Sequence, residues 1–551
     1  PYGPVRSYAG TTYRYEPRTG RLSPYISYPY YNPWGNVFDR WGTHLIADAS
    51  DGSNYFAPPL TGKVTYPAKH PRTNGFTETR VRPTAGIEIV SSRHFPDSVQ
   101  GNFLVNNNIG FQGTKQHRMF PNGSGIVGKE VEPLLQSTDP NFRPIDLKFG
   151  PDGALYLVDW YNPLISHGEN PPRDSARDTS HGRIWRITYS QKPLLPVVDV
   201  SAQSIPSLLD GLKAPEDRFR YRVRAELRAR DAGVVLPALQ AWVASLSPDD
   251  PEYEHHRLEG LWLHQDFNVP NETLLNALLT ARQAEARAAA TRVLLDWRDR
   301  IPEAQERMRG QARDASPRVR LEAVVALSFF ETSAAVEAVL TARDQPRDAS
   351  LDYAIRETLL ALKPVWLAGL RQKEPPYAAP ATEYLLRLAT TADLVSLPPT
   401  PAVQTALLTR PDLPLTRRRS LLTGLARARK TSPSRVLLPL IWQQATKQGP
   451  GESPRHLIKL LLTSGPAELK PLVTESLAWI RHDTSQTRRA LGYAVVVAAD
   501  GSDCAVWPLA QTAPTGRADY LSGLALLPAG ALKASFREKV KGLTAAEPLL
   551  A

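Results

Sequence analysis

FRPIDLKFGPDGALYLVDWYNPLISHGENPPRDSARDTSHGRIWRI, residues 142–187, carries the signals that decide the fold of the chain around it. Ile145, Leu147 and Phe149 alternate with Asp146 and Lys148, the period-two pattern of a strand with one buried face. Asp152-Gly153 supplies the positive-φ positions of a tight turn, and Ala154 to Val158 returns as a second, more fully buried strand. From Asn162 to His181 the chain loses all periodicity and becomes rich in ionisable side chains, until Gly182 to Thr188 reads as a further strand. A polar loop of that length, pinned between strands, is usually functional or disordered.

The same grammar recurs upstream. Val37-Phe38-Asp39 with His44 to Asp48, and Gly101 to Asn106, repeat the pattern of Gly153 to Asp159: a turn residue, an apolar strand, a terminal Asp or Asn. Their spacing of about 50–57 residues is near the longest propeller period. Three such units predict about three blades of a partial β-propeller over residues 1–195, too few to close a ring, so the early blades are expected to be missing. Composition changes near residue 195. Before it lie 13 of the 20 Tyr, 19 of the 34 Gly and 12 of the 15 Asn; after it Leu, Ala and Arg dominate at helical spacing. Arg224-Ala225-Glu226-Leu227, Arg257-Leu258-Glu259, Arg287-Ala288-Ala289 and Arg320-Leu321-Glu322 recur at intervals of 33, 30 and 33 residues, each within an amphipathic helix. Stacked helix pairs of that period predict an α-solenoid of short HEAT-like repeats over 196–365. Further helical repeats with weaker periodicity follow over 366–551. The expected fold class is therefore multidomain β + α, a partial propeller followed by an α-solenoid.

Composition narrows the function. The single Cys504 excludes an internal disulfide framework, a Cys-based metal site and a C-x-x-C-H haem attachment. No apolar run reaches the roughly 18 residues of a membrane span. The net charge of +11 divides as 21 Lys/Arg against 16 Asp/Glu in residues 1–195 and 45 against 39 in the rest. With the excess spread in this way, and no basic tail or aromatic RNA-binding signature, no nucleic-acid partner is expected. The start at Pro1-Tyr2-Gly3 reads as a processed product or a fragment.

Several longer words resemble the membrane-bound dehydrogenase family of planctomycete- and verrucomicrobium-type bacteria. They are Ser91 to Pro96, Gln100 to Phe103, Ile109 to Gly113, Phe142-Arg143-Pro144, Asp159 to Ile165 and His181 to Arg186, with Tyr253 to His256, Leu261 to Gln265 and Arg318 to Ala323 in the helical part. The resemblance covers roughly residues 20–365. It implies a propeller similar to quinone-dependent sugar dehydrogenases, HEAT-like repeats and often a c-type haem domain. By the same resemblance the protein is exported, periplasmic or membrane-associated, with a carbohydrate substrate, pyrroloquinoline quinone and calcium as cofactors, and a c-type cytochrome or haem domain as electron partner. The chain departs from that pattern in having no haem motif, no early blades and no cysteine in Arg82 to Gly86.

The 162–181 loop is the leading site candidate. His167 and His181 are the residue type for a base that removes a hydroxyl proton near neutral pH. Arg173 and Arg177 are suited to hold a developing alkoxide or an anionic quinone. Tyr161, Asn162 and Arg183 are the candidate cofactor contacts, and Asp159 either ligates calcium or caps the loop. The competing reading is that Arg173-Asp174 and Arg177-Asp178 only knit the loop through salt bridges. His44, and His255 and His256 with His264, read as structural; Lys63, His70 and Arg72 read as solvated loop residues; Ser124 lacks a nucleophile-elbow context. Two functions remain in view: a sugar or alcohol oxidoreductase, and a non-catalytic glycan- or protein-binding propeller whose solenoid docks a protein partner.

Overall fold

The computed structural model describes residues 4–8, 10–80, 82–165, 171, 173–445 and 454–546. Strands β1 (Gly10–Glu16) and β2 (Arg21–Tyr30) form a hairpin. Three antiparallel meanders follow: β3 (Pro33–Phe38), β4 (His44–Asp48) and β5 (Ser53–Phe56); β6 (Thr84–Ile89), β7 (Phe103–Asn107), β8 (Gly113–Asn122) and β9 (Gly125–Gln136); β10 (Pro144–Phe149), β11 (Leu155–Asp159) and β12 (Arg183–Ile187). The expected hairpin is present, with Leu147 opposite Leu157 and Phe149 opposite Leu155. Its turn uses Gly153 at φ +80°, and Asp152 Oδ1 accepts from the Ala154 amide. The three repeated sequence units are thus three successive sheets, and the described residues form no closed propeller. Val90, Phe95, Leu104, Leu147, Phe149 and Leu155 make the core between the second and third sheets.

The strands end at Ile187 and α1 (Ile205–Gly211) opens the helical part, on either side of residue 195. α2 (Asp217–Ala229), α3 (Ala232–Ser245), α4 (Tyr253–Asp266), α5 (Glu272–Leu279), α6 (Ala284–Asp296), α7 (Ala304–Gln311), α8 (Pro317–Leu327), α9 (Ser333–Arg343) and α10 (Ala349–Ala361) follow as stacked pairs. The even-numbered helices pack on one another in sequence, α4 on α6, α6 on α8 and α8 on α10, as in a helical solenoid. The arginine periodicity has a physical basis. Arg287 donates to the carbonyls of Ala281 and Arg282, and Arg320 to those of Asp314 and Ala315, five and six residues back. Each side chain thereby satisfies the carbonyls of the loop that enters its own helix. In α2 the equivalent residue is Arg220, which reaches Ala214 O, while Arg224 pairs across to Glu259. The repeat read at Arg224 is therefore out of register by one helical turn.

Strands and helices up to Trp366 form one compact unit. The β part is clamped on the even-numbered helices by side chains. Arg14 forks onto Asp296 at 2.6 and 2.9 Å, Arg93 onto Glu216 at 2.7 and 2.9 Å, and Ser124 Oγ donates to Asp348 at 2.8 Å. Tyr353 of α10 completes an aromatic cluster with Tyr28, Tyr30 and Tyr55, and its hydroxyl donates to Pro71 O. The loop expected to be solvated belongs to this contact. His70 is buried against Gly62 O with Glu357 3.7 Å away, Lys63 pairs with Glu331, and only Arg72 stays largely exposed, on Asp51.

Residues 367–551 form a second compact unit. It is helical throughout its described length, from α11 (Lys363–Leu370), whose first residues precede the division, to α24 (Arg537–Ala546). Its centre is α20 (Gln486–Asp500), in which Leu491, Val495, Val496 and Val497 are fully buried. Here Arg489 repeats the capping device on Asp483 O and Thr484 O.

Candidate functional site

In the loop after β11, the structure draws Asp159, Tyr161, Asn162, Arg183 and His181 together. Asp159 is buried at the strand end. Its Oδ1 accepts from the amides of Arg143 and Tyr161, its Oδ2 accepts from Trp185 Nε1, and Arg183 Nε lies 3.4 Å away. Among the described residues, no group of three His, Cys, Asp or Glu converges as a metal site would require. Tyr161 holds a left-handed backbone at φ 49°, and the Arg183 guanidinium lies 3.5 Å above its ring. Asn162 bridges the loop, donating to Asp178 O and accepting from the Leu164 amide.

His181 is 67% exposed, with Nδ1 2.7 Å from Asp178 Oδ2. Backbone hydrogen bonds from Ser180, with His181 adding to them, hold the Asp178 carboxyl down to about 2. Arg177 donates to Pro171 O and Leu164 O, and Arg173 is exposed. The described contacts that knit the loop thus run through Asx turns and carbonyls: Asp174 accepts from the Ala176 amide, Asp178 from Ser180 and His181. His167 lies outside the described residues.

A cavity of about 700 Å³ opens elsewhere, between the first hairpin, the first sheet and helices α4, α6 and α8. Tyr13, Tyr15, Tyr25, Phe38, Trp262 and Phe329 give it aromatic walls; Arg14, Asp296, Gln265, Arg292, Glu322 and Lys63 supply polar groups. Two of its arginines are paired with carboxylates, whereas Glu16 and Arg21, which also line it, make no ion pair among the described residues. Arg14 is bidentate on Asp296, and Arg292 Nη1 donates to Glu322 at 2.5 Å. The turn after β3 builds one wall. Asp39 Oδ1 accepts from the Trp41 and Thr43 amides, Gly42 takes φ +71° and comes close to Trp262, and Trp41 O accepts from Arg292. A Cβ at Gly42 would sit 3.2 Å from the Trp262 ring on a backbone of positive φ, so any other residue there would be strained.

His44 follows that turn. It stacks on Phe38 at 4.3 Å between centroids and lies near Tyr25 on its other side. Burial holds its imidazole down to about 3, so at neutral pH it is uncharged, with Nε2 toward Asn36 Oδ1 and Nδ1 without a partner. Burial raises the Tyr25 phenol to about 12, keeping it a donor. His44 is thus a structural element of β4 that also lines the cavity. His255 and His264 are engaged with Arg40 O and Val269 O. Sequence reasoning missed the cavity because its two walls, residues 12–64 and 262–329, are far apart in the chain. The local sequence here, Val37-Phe38-Asp39 with His44 to Asp48, reads only as one of the repeated strand units.

The profile described as a domain of unknown function, DUF7133, matches residues 5–191, about a third of the chain. No curated protein matches the sequence. Similar solved structures include the karyopherin Kap121p bound to the extreme C-terminus of the protein phosphatase Cdc14p, at 13% identity and TM-score 0.31, over 62% of this chain and 44% of that one. Kap121p alone is similar at 12% identity and TM-score 0.30, over 64% of this chain and 44% of that one. The chain therefore spans less than half the length of these proteins, and a likeness this low adds nothing to what the helices themselves show. No helix among the described residues is long and apolar enough to cross a membrane.

Proposed function

We propose that this chain is a non-catalytic binding module, in which propeller-type sheets and HEAT-like helices together frame a pocket for a glycan. The observation that supports this reading is the aromatic-walled cavity between the first hairpin and α4 to α8, in which Arg14 and Arg292 are each already paired with a carboxylate. Fixed, neutralised polar pairs beside aromatic faces suit an uncharged, polyhydroxylated ligand, which needs hydrogen bonds at its hydroxyls and apolar contact at its ring faces. Tyr13, Tyr15 and Phe38 are the exposed part of that wall, and the two tyrosines both come from β1. Calorimetric titration of the intact chain against a panel of neutral oligosaccharides tests it. A ligand should bind, and a Tyr13→Ala/Tyr15→Ala variant of unchanged melting temperature should bind it at least about tenfold more weakly, a loss of about 1.4 kcal/mol. Binding indifferent to both tyrosines, or none across the panel, defeats the proposal.

A second reading draws on the Asp178–His181 pair beside Tyr161 and Arg183. A carboxylate that orients an imidazole is the arrangement a general base uses, and an oxidoreductase of the sugar-dehydrogenase type would need one. That reading expects calcium- and pyrroloquinoline-quinone-dependent oxidation of a sugar or alcohol, with a c-type cytochrome as acceptor, in an exported protein. Turnover abolished by His181→Ala would favour it over the binding module.

A further inference from the structure

The two compact units differ in charge. Residues 1–366 hold 43 Lys/Arg against 42 Asp/Glu, and residues 367–551 hold 23 against 13. Almost the whole net charge of +11 therefore belongs to the second unit, a concentration hidden when the chain is divided at residue 195. Within it, residues 413–451 contain eight Lys/Arg and no Asp or Glu. Helix α15 (Leu415–Ala428) and the turn after it lie in this stretch.

Leu422, Leu425 and Ala426 bury one face of α15, and Arg418 is buried with them, donating to Leu413 O and His456 O. The opposite face is exposed. Helical periodicity puts Arg427 at its centre with Ser420, Thr423 and Gly424, and Arg417 and Arg419 on its two flanks. Lys430 follows in the exposed turn. Arg429 donates to Thr405 Oγ1 of α14 (Pro401–Leu408), and Arg435 pairs with Glu475. Among the described residues, Arg417, Arg419, Arg427 and Lys430 have no carboxylate partner. Three bare cations on the helix and a fourth in the turn after it leave an uncompensated positive field.

We infer that the exposed face of α15 and its following turn form a docking surface for a carboxylate-rich segment of a protein partner. The guanidinium fork matches carboxylates bidentately. Arg419 and Arg427 lie about 12 Å apart along the helix axis, within the reach of one short acidic segment. A single-stranded nucleic acid would need aromatic faces for its bases, and the described part of this unit exposes no Tyr, Trp or Phe side chain of the kind that serves as a stacking platform. A duplex would need cations arrayed over two phosphate backbones, and these four are confined to one helix and its turn.

Fluorescence anisotropy of a short fluorescein-labelled poly-L-glutamate with the intact chain tests this directly, with single-stranded and duplex oligonucleotides of equal charge alongside. Poly-glutamate should bind and weaken as salt is raised, and a reversal variant, Arg419→Glu/Arg427→Glu/Lys430→Glu, should lose about tenfold or more in affinity. Arg282→Glu, an exposed reversal in the first unit, should bind as the unaltered chain does. The peptide should also raise the melting temperature of the unaltered chain but not of the reversal variant. Absence of poly-glutamate binding, binding that survives the reversal, or tighter binding of either oligonucleotide would each overturn the inference.

Discussion

At the scale of single residues, burial decides more than motif. His44, His117 and His255 sit in or against the core, and desolvation holds their imidazoles at about 3, about 4 and about 2. For His44 the folded ring takes its proton only near pH 3, whereas the unfolded one takes it near 6.5. Between those values the unfolded chain binds more protons, so stability falls as pH drops, by up to about 1.4 kcal/mol per pH unit. His44→Phe, which keeps a ring between Phe38 and Tyr25, should therefore flatten the pH dependence of stability between pH 6.5 and 4. Denaturant unfolding followed at several pH values reads this, and an unchanged slope would count against a buried neutral His44. From sequence, His44 was legible as structural by its alternation with strand residues. That it would also line a cavity was not, because Arg292 and Glu322 come from helices some 250 residues away.

At the scale of elements, the recurring arginines carry the information. Their period predicts stacked helix pairs, and in two of the repeats the arginine, Arg287 or Arg320, ties down the loop before its helix and reaches toward the next repeat. Arg287 adds Asp314 in this way, and Arg320 adds Pro346 O. The mistaken register at Arg224 has a simple cause: Arg220 and Arg224 lie on the same helix face one turn apart, and both reach Glu259. Arg320 is nearly fully buried and caps three carbonyls. Arg320→Ala would orphan them, at a cost of about 3 kcal/mol, and Arg320→Lys should recover only part because one ammonium cannot span three acceptors. A melting temperature for Arg320→Lys equal to that of the unaltered chain would show that the fork is unimportant. The 162–181 loop shows the opposite limit of legibility. Its richness in His, Arg and Asp was visible, but whether those groups face a cavity or one another depends on turn geometry that composition does not encode.

At the scale of the whole molecule, the change of composition at residue 195 marks the end of the strands, and the arginine and carboxylate contacts tie those strands to the helices that follow. Arg14, Arg93 and Ser124 each find their partner in the helical part. A chain ending at Gln372 should unfold in one cooperative transition by calorimetry or circular dichroism, whereas residues 1–195 alone should lack a sharp transition and aggregate. A cooperative, soluble 1–195 fragment would show that the sheets need none of these contacts.

The contact of Ser124 with Asp348 also has a meaning in time. Asp348 caps α10 through the Leu351 amide and receives the tip of the β8–β9 hairpin. The hairpin leaves the ribosome 224 residues before its acceptor does. At translation rates of roughly 5–20 residues per second, that is a wait of about 10–45 s, far longer than a hairpin takes to form. The sheets of this protein must therefore persist, half assembled and with their docking face uncovered, until the helices that complete them have been made.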